Sequence, residues 1–415
     1  MSIKFKQLTF PVTEEVCHAL TITKHGAEEL LIEEEFTQKL AKSAAIGKPL
    51  RIKLGLDPTA PDIHIGHTVV LNKIRQLQDL GHTVIFLIGD FTSLIGDPSG
   101  RNTTRPLLTL EQIELNAKTY FDQAMLILNR EKTEIRYNSE WSIPLGANGI
   151  IDLASRYTFA RMLEREDFTK RFQNGIPISI HEFLYPLIQG HDSVILNTDL
   201  EIGGSDQKFN LLVGRELQKK YGQEQQCILT MPLLEGLDGV EKMSKSKNNY
   251  IGIRENPNDI FGKIMSISDI LMWRYFELLS FRSLDEIARF RRQSEYGCNP
   301  RDFKVLLAKE IVARFYSEAD ADRALENFNN RSNGVLLDDY IPSVILTGAP
   351  LAIGQFLKRS GLALSTSDGL RNIEQRGVKI NGVTVSDKAL KINTGEYIVQ
   401  VGKRRFARVT LIEKE

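Results

Sequence analysis

Three patterns along the 415-residue chain predict an α/β fold followed by a helical domain and a small basic α+β module. A strand-like apolar run at residues 52–56, helically spaced apolar side chains at 69–77 and a second strand-like run at 83–88 form a βαβ pattern. Residues 256–330 contain amphipathic helical stretches separated by short loops, which indicates a small bundle. From Pro350 onward there are 12 Lys and Arg against 6 Asp and Glu, which leaves 41 against 47 before it. A basic last domain on an acidic body suggests a polyanionic partner.

The composition is that of an ordinary globular protein, with 42% apolar and 26% charged residues. The length suits two or three domains. The cysteines, Cys17, Cys227 and Cys298, lie far apart and match no metal-binding spacing, which fits a reducing compartment. No apolar run approaches the length of a membrane span. We therefore expect a cytoplasmic protein with no membrane contact and no tightly bound metal.

The chain is organised around residues 57–67, Asp-Pro-Thr-Ala-Pro-Asp-Ile-His-Ile-Gly-His, where the first strand gives way to the first helix. The free N–H groups and the dipole at a helix start favour a bound anion. Gly66 would let a flat ring or a phosphate approach the backbone, and His64 and His67 can donate hydrogen bonds to it. A lone His-x-Gly-His string also fits a surface loop, but its place in a βαβ pattern favours a nucleotide site.

The turn after the second strand adds a carboxylate to the same region. Residues 96–100, Gly-Asp-Pro-Ser-Gly, follow that strand closely. Ligands of such sheets bind at the carboxyl ends of the strands. We therefore expect His64, His67 and Asp97 to line one crevice.

Residues 185–207 predict a pocket for a small polar ligand. Tyr185, Gln189 and Asp192 lie at i, i+4 and i+7, which is one face of a helix. A stripe of phenol, amide and carboxylate suits such a pocket better than a core, although a capped surface helix has the same pattern. Residues 202–207, Ile-Gly-Gly-Ser-Asp-Gln, then end a strand and offer Gln207 as an amide beside two glycines.

A lysine-rich loop at residues 241–247, Glu-Lys-Met-Ser-Lys-Ser-Lys, provides cations. As a bare pattern it fits a solvated loop. Together with the two histidines, Lys242 and Lys245 can neutralise a triphosphate.

These motifs together resemble the class I aminoacyl-tRNA synthetases, and within them the tyrosyl-tRNA synthetases. Residues 64–67 are similar to the HIGH signature of that class and residues 242–246 to its KMSKS signature. Asp-Pro-Thr-Ala and Gly-Asp-Pro-Ser-Gly are similar to the tyrosyl branch. The resemblance implies a Rossmann-like class I synthetase catalytic domain that activates L-tyrosine with ATP and Mg²⁺. It further implies transfer of the tyrosine to the 3′ end of tRNA(Tyr).

The resemblance also implies roles for individual residues. The ATP site would contain the catalytic His64, His67, Lys242 and Lys245, with Thr59, Gly66 and Ser246 beside them. The tyrosine site would contain Asp97, Tyr185, Gln189, Asp192 and Gln207, with Asp192 accepting a hydrogen bond from the phenol. Bound tRNA would contact Arg101, Arg105, Arg371, Arg376 and Lys379. The last three lie in a segment that resembles a small RNA-binding module shared with a ribosomal protein.

One position departs from the family pattern. Many members have Tyr-Cys directly before the Gly-x-Asp-Pro-Thr string, and that tyrosine contacts the substrate phenol. This chain has Lys53 and Leu54 there. Lys53 could donate to the phenol opposite Asp192, or it could pair with an acidic residue and never meet the substrate. Both alternatives remain open from the sequence.

The expected domain boundaries follow from these assignments. Residues 1–247 form the catalytic domain with N-terminal helices, 248–335 a helical anticodon-binding domain, 336–349 a linker and 350–415 the RNA-binding module. An insertion around residues 125–180 would form the interface of a homodimer.

Two stretches are expected to be helical without carrying chemistry. Residues 1–48, including the amphipathic run from Glu29, read as packing helices. Residues 150–172 read as one helix, whose charged end fits either a solvated face or a partner surface.

Two other functions compete with this interpretation. One is a tryptophanyl enzyme of the same fold, and the other is an RNA-binding protein built on a synthetase that has lost catalysis. Asp192 and residues 204–207 argue against the first, and intact His64, His67 and Lys245 argue against the second.

Overall fold

The computed structural model describes residues 10–59, 62–99, 108–332, 343–402 and 405–413. The chain divides into two compact units, Met1–Ala321 and Asp322–Glu415. The first unit contains a six-stranded sheet, and the second contains a five-stranded sheet. None of the helices in the described part of the chain is long and apolar enough to cross a membrane.

The first unit alternates strands with helices over most of its length. Its strands are β1 (Glu29–Leu31), β2 (Arg51–Leu56), β3 (Thr83–Ile88), β4 (Thr133–Tyr137), β5 (Leu200–Gly204) and β6 (Cys227–Met231). Its helices up to β6 are α1 (Glu14–Lys24), α2 (Glu33–Ile46), α3 (Ile65–Asp79), α4 (Thr92–Ile95), α5 (Leu110–Ala124), α6 (Ser139–Ser155), α7 (Phe159–Met162), α8 (Glu166–Gln173), α9 (Leu184–Leu196) and α10 (Lys208–Lys220). The predicted α/β fold is thereby confirmed.

The sheet has the order β1-β6-β5-β2-β3-β4. Strand β2 pairs in parallel with both β3 and β5, while β1 pairs antiparallel with β6. The chain therefore builds outward in one direction to β4 and then returns to the other side of β2. Such a reversal of strand order leaves a crevice at the carboxyl ends of the central strands, here β2 and β5.

Two secondary-structure predictions in this unit are wrong. The run from Glu29 begins with strand β1, because Leu30 and Leu31 pair with β6 at the edge of the sheet. The stretch at 150–172 is not one helix, because α6 ends at Ser155 and Thr158 caps the separate helix α7.

The stretch after the lysine loop consists of helices joined by short loops, as predicted. Its helices are α11 (Pro257–Ser266), α12 (Asp269–Leu279), α13 (Leu284–Glu295), α14 (Pro300–Phe315) and α15 (Glu318–Ser332). Helix α14 packs against α11 and α12 through buried side chains such as Leu307 and Ile311. Helix α15 crosses from the first unit into the second.

The second unit is a small α+β module. Its strands are β7 (Ser343–Thr347), β8 (Leu351–Ala352), β9 (Val378–Ile380), β10 (Val383–Thr384), β11 (Lys391–Ile392), β12 (Gly395–Val401) and β13 (Arg405–Ile412), and its remaining helices are α16 (Ile353–Arg359) and α17 (Thr366–Glu374). Helices α16 and α17 pack against one apolar core that includes Phe356, Ile373 and Val399.

The predicted linker at 336–349 is too long. Residues 343–347 form β7, which pairs in parallel with β13 and buries Leu346 in the core of the module. The first part of that linker lies outside the described residues.

Candidate active site

The loop after β2 places two histidines at the start of α3. Their ring centroids are 3.9 Å apart. The backbone N–H of His64 donates to Nδ1 of His67 over 3.2 Å. Since that nitrogen accepts, a neutral His67 carries its proton on Nε2. The Nδ1 atom of His64 is buried at the start of α3 and has no hydrogen-bond partner among the described residues.

Both histidines are held in the neutral form. Burial lowers the pKa of His64 to about 2, and the nearby His67 and Lys245 act in the same direction. Burial also lowers the pKa of His67 to about 4. At neutral pH the pair can therefore donate N–H groups to a phosphate without adding positive charge, while cationic charge must come from elsewhere.

The lysine loop supplies that charge from the other side of the crevice. The backbone following it pairs with the histidine loop, where the N–H of Ile65 donates to the carbonyl of Ile251 over 2.9 Å. Met243 is buried, and its Cβ would lie 3.5 Å from a Cβ added at Gly66. That distance is an ordinary van der Waals contact; the same added Cβ would lie only 2.9 Å from His64 Nδ1, so glycine at 66 leaves room for the His64 ring.

Two lysines of this loop reach carboxylates on neighbouring segments. Lys242 Nζ lies 3.1 Å from Asp206 Oδ2, and Lys245 Nζ lies 3.4 Å from Asp62 Oδ2. Lys245 also lies close enough to both histidines to lower their pKa values. The predicted ATP residues His64, Gly66, His67, Lys242 and Lys245 are thus brought together.

A buried carboxylate lies on the tyrosine side of the crevice. Asp192 on α9 accepts from Trp141 Nε1 at 2.7 Å and from Asn138 Nδ2 at 3.3 Å. Its pKa is raised to about 7, because burial outweighs the favourable effects of Lys53 and the two donors. A further hydroxyl donor, such as a substrate phenol, would satisfy this carboxylate more completely.

A chain of hydrogen bonds joins Asp192 to Tyr185 at the other end of α9. The Tyr185 hydroxyl donates to Asp57 Oδ2 at 2.8 Å, and Thr92 Oγ1 donates to Asp57 Oδ1 at 2.8 Å. Asn138 Nδ2 lies 3.1 Å from Thr92 Oγ1 and completes the chain to Asp192. The hydrogen bond to Asp57 fixes the position of the Tyr185 hydroxyl.

Asp97 and Gln207 meet at the mouth of the same pocket. Gln207 Nε2 donates to Asp97 Oδ2 at 2.8 Å. Arg165, which is buried, lies 3.6 Å from the other oxygen of Asp97 and donates to Ser99 Oγ at 2.7 Å. The Oε1 atom of Gln189 is buried without a hydrogen-bond partner among the described residues. These groups fit the ammonium and carboxylate of an amino acid.

The predicted contact between Lys53 and the substrate phenol is wrong. Lys53 is fully buried, and its ammonium lies 2.8 Å from Glu201 Oε1 and 2.6 Å from Ser193 Oγ. It also donates to the carbonyl of Gln189 at 3.2 Å. An ammonium has three N–H donors, so these partners leave none for a phenol.

The remaining predicted residues are placed as follows. Thr59 is exposed in the loop between β2 and α3, and its N–H donates to the carbonyl of Asp57. Arg101, Arg105 and the side chain of Ser246 lie outside the described residues. Arg371, Arg376 and Lys379 are exposed in the second unit.

Sequence reasoning missed several residues of the pocket. Asn138 and Trp141 directly follow β4, so the rule that ligands bind at the carboxyl ends of strands could have found them. Arg165 lay within a charge run that reads as solvated, yet it is buried. Arg165 and Asp97 lie far apart in the sequence, so no local pattern predicts that their side chains lie close together.

Comparison with known protein families identifies the class of synthetase to which this chain is similar. The family model described as tRNA synthetases class I (W and Y) matches residues 45–332. This match covers most of the chain and agrees with the two signature loops that meet across the crevice.

Comparison with individual relatives identifies the branch of this class. A curated tyrosine–tRNA ligase of Burkholderia mallei is 81% identical over 402 residues, which cover 97% of each chain. That of Bordetella avium is 67% identical over 405 residues, covering 98% of this chain and 99% of the relative. The chain therefore belongs to the tyrosine–tRNA ligase family of class I synthetases.

Solved structures of this family share the fold. A C-terminally truncated mitochondrial tyrosyl-tRNA synthetase of Aspergillus nidulans superposes with a TM-score of 0.64 at 20% identity, covering 77% of this chain and 94% of that one. The tyrosyl-tRNA synthetase of Archaeoglobus fulgidus complexed with L-tyrosine gives 0.60 at 24% identity, covering 75% and 99%.

Proposed function

We propose that this chain activates L-tyrosine with ATP and then charges tRNA(Tyr), using the crevice between β2 and β5 for the first step. The observation that carries the proposal is the buried Asp192, which faces the same crevice as a neutral histidine pair and two lysines. A carboxylate at that depth favours an amino acid whose side chain can donate a hydrogen bond.

In the first step an oxygen of the tyrosine carboxylate attacks the α-phosphate of ATP. The bond from the α-phosphorus to the bridging oxygen breaks, and pyrophosphate leaves. The carboxylate is already a nucleophile, so the protein has to position it and neutralise phosphate charge. His64 and His67 donate neutral N–H groups, and Lys242 and Lys245 provide the cations. Thr59, Gly66 and Ser246 complete the ATP site.

The tyrosine is held at both ends. Its phenol donates to Asp192, and its ammonium is bound by Asp97 together with Tyr185 and Gln189. Gln207 binds the carboxylate. In the second step a terminal hydroxyl of the tRNA attacks the carbonyl carbon, and AMP leaves.

Magnesium is proposed to arrive with ATP. In the described ranges no group of three or more His, Cys, Asp and Glu side chains could hold a metal. Mg²⁺ generally binds through substrate phosphates and one or two carboxylates, and the acidic residues on this side are Asp62 and Asp206. The ion would supply further neutralisation of the phosphates.

Three broader features complete the proposal. Arg371, Arg376 and Lys379 would bind tRNA, as would Arg101 and Arg105. Two copies would associate through the segment at 125–180, which exposes large apolar side chains, namely Leu126, Ile143, Ile151, Phe159 and Phe172. The protein would act in the cytoplasm.

The direct test is aminoacylation with purified full-length protein. Labelled tyrosine should appear on a tRNA(Tyr) transcript in an ATP-dependent reaction and should be absent from a tRNA(Trp) transcript. Equal charging of both transcripts, or of neither, would contradict the proposal. The variant Asp192→Ala serves as the control for the site.

A further inference from the structure

A fully buried ion pair lies directly beneath the helix that carries the tyrosine pocket. Lys53 on β2 and Glu201 on β5 are 2.8 Å apart, with side chains 0% and 1% exposed. Taking two charges out of water is unfavourable, and apolar residues of similar volume often replace such pairs without loss. Its position therefore points to a role beyond stability.

The pair attaches α9 to the two central strands. Lys53 donates to the carbonyl of Gln189 and to Ser193 Oγ, both of which belong to α9. Glu201 Oε2 accepts from Ser193 Oγ at 2.9 Å and from Gln226 Nε2 at 2.5 Å. Asp192 lies in the sequence between the two attached positions, so its carboxylate is oriented by this network.

The pair also determines the electrostatic surroundings of Asp192. The charged groups that act on Asp192 are Lys53 on β2 and Glu201 on β5, and the neutral donors Trp141 and Asn138 come from α6 and the residue before it. Lys53 favours the ionised carboxylate, Glu201 opposes it, and the lysine has the larger effect.

We propose that the Lys53–Glu201 pair is a positioning device that orients Asp192 and sets the pH at which it ionises, so that the pair controls discrimination between tyrosine and phenylalanine. This inference rests on the proposed function. An ionised Asp192 accepts from the phenol of tyrosine and is left without that donor by phenylalanine. A protonated Asp192 loses most of this distinction.

The two members of the pair should shift the discrimination in opposite directions. Lys53→Met keeps the aliphatic stem and removes the cation, so Asp192 stays protonated up to a higher pH. Glu201→Gln keeps one oxygen to accept from Lys53 and removes the negative charge, so Asp192 ionises at a lower pH; the hydrogen bond from Gln226 is lost. A role confined to packing predicts no such opposition.

The experiment measures kcat/KM for tyrosine and for phenylalanine in ATP–pyrophosphate exchange between about pH 5.5 and 8.5, which brackets the expected ionisation of a buried carboxyl group. The ratio of the two values at each pH cancels the titration of ATP and of other groups. The midpoint at which the ratio falls should move up by about one pH unit in Lys53→Met and down by about one in Glu201→Gln. Lys53→Arg should keep the wild-type midpoint.

The matched control is Glu182→Gln. Glu182 forms another buried ion pair, with Arg171 at 2.6 Å and side chains 3% and 1% exposed. This variant should leave the midpoint of the ratio in place.

Coincident midpoints for Glu201→Gln and wild type, or shifts of the same sign in both variants, would overturn the inference. Glu201→Gln keeps the contact with Lys53, and with it the attachment of Lys53 to α9, so it tests the inference even where Lys53→Met fails to fold. A wild-type protein that supports no tyrosine-dependent exchange at any pH would instead refute the proposed function.

Discussion

Asp192 shows how a single buried group connects the stability of this protein to its chemistry. Burial removes water from the carboxylate, and the side chains that donate to it are those of Trp141 and Asn138. The pKa of Asp192 accordingly rises from 3.8 to about 7. The protein without substrate therefore bears the cost of a poorly solvated carboxylate, which a phenol donor would relieve.

This cost should be measurable as a pH dependence of stability. Between pH 3.8 and about 7 the folded protein binds more protons than the unfolded chain, so the contribution of Asp192 to stability falls as pH rises. Asp192→Asn removes that dependence. Its free energy of unfolding should exceed the wild-type value by up to about 4 kcal/mol at about pH 8, and the two should converge near about pH 4. Urea unfolding across this range checks the prediction, and a difference independent of pH contradicts it.

Individual residues were predictable where a short motif carries the chemistry. The string at 64–67 and the helical spacing of Tyr185, Gln189 and Asp192 were enough to find both sides of the crevice. Lys53 was not predictable, because strand alternation gives its face but not its partner. Glu201 lies far along the chain from Lys53 and becomes its neighbour only through the pairing of β2 with β5.

At the scale of elements, the lysine loop depends on the histidine loop for its position. The bridge between residues 64 and 252 joins the two segments, and Asn249 Oδ1 accepts from the N–H of Ser244 inside the loop at 2.8 Å. The loop is thus held beside α3 while Lys245 remains partly exposed to a ligand.

Lys245 should act mainly on the leaving pyrophosphate. Lys245→Ala should lower the rate constant for adenylate formation by about 10²-fold while changing tyrosine affinity little, since in the proposed complex its charge acts on the phosphates of ATP. The matched control is Lys247→Ala, which removes a lysine that is paired with Glu241 in the same loop. Pre-steady-state fluorescence or quench measurements give both constants. Weaker tyrosine binding at an unchanged rate would contradict this role.

Helices and strands were predictable where the spacing of apolar residues is strongly periodic. The predictions were wrong where pairing with a distant part of the chain determines the secondary structure. The apolar spacing of α3 is read correctly because Val69, Ile74 and Leu77 all face the core. The sequence predicts a helix at β1, because its three residues directly precede a helical run. They form a strand only because they pair with β6. The break between α6 and α7 was not predicted, because the threonine that caps α7, Thr158, cannot be told from other threonines in the sequence.

At the scale of the whole molecule, exposed apolar side chains in the segment at 125–180 are the basis of the proposed dimer interface. Ile151 and Ile180 in the inserted segment are 67% and 84% exposed. Large exposed apolar side chains grouped on one segment are typical of interfaces. Wild type should sediment as a dimer, and Ile151→Glu combined with Ile180→Glu should give a monomer. The control Ile270→Glu, at a site that is 85% exposed on α12, should remain dimeric. A dimeric double variant contradicts this interface.

The second unit should contribute to binding of tRNA only. Arg371→Gln combined with Lys379→Gln should weaken tRNA charging. The slope of log kcat/KM for tRNA against log salt concentration should become shallower by about two, one for each cation removed from a phosphate. Tyrosine-dependent pyrophosphate exchange should stay unchanged. Lys388→Gln is the control, because Lys388 is already paired with Glu374 at 3.1 Å. An equal loss in both half-reactions would indicate a structural role instead.

The order of an α/β part, a helical part and a small α+β module along the chain was predictable because each part has its own sequence pattern. The arrangement of strands was not, since the return of β5 to the free side of β2 leaves no mark in local sequence. The crevice forms where β5 pairs beside β2. The sequence therefore predicts candidate residues for the site but not how they are arranged in space.

The central claim is that this crevice activates tyrosine and rejects its nearest analogues. ATP–pyrophosphate exchange with tyrosine, phenylalanine and tryptophan, each over a full range of concentrations, tests it most directly. We predict a kcat/KM for tyrosine far above those for the other two. Activation of phenylalanine or tryptophan to within about tenfold of tyrosine, a difference of only about 1.4 kcal/mol, would contradict the account.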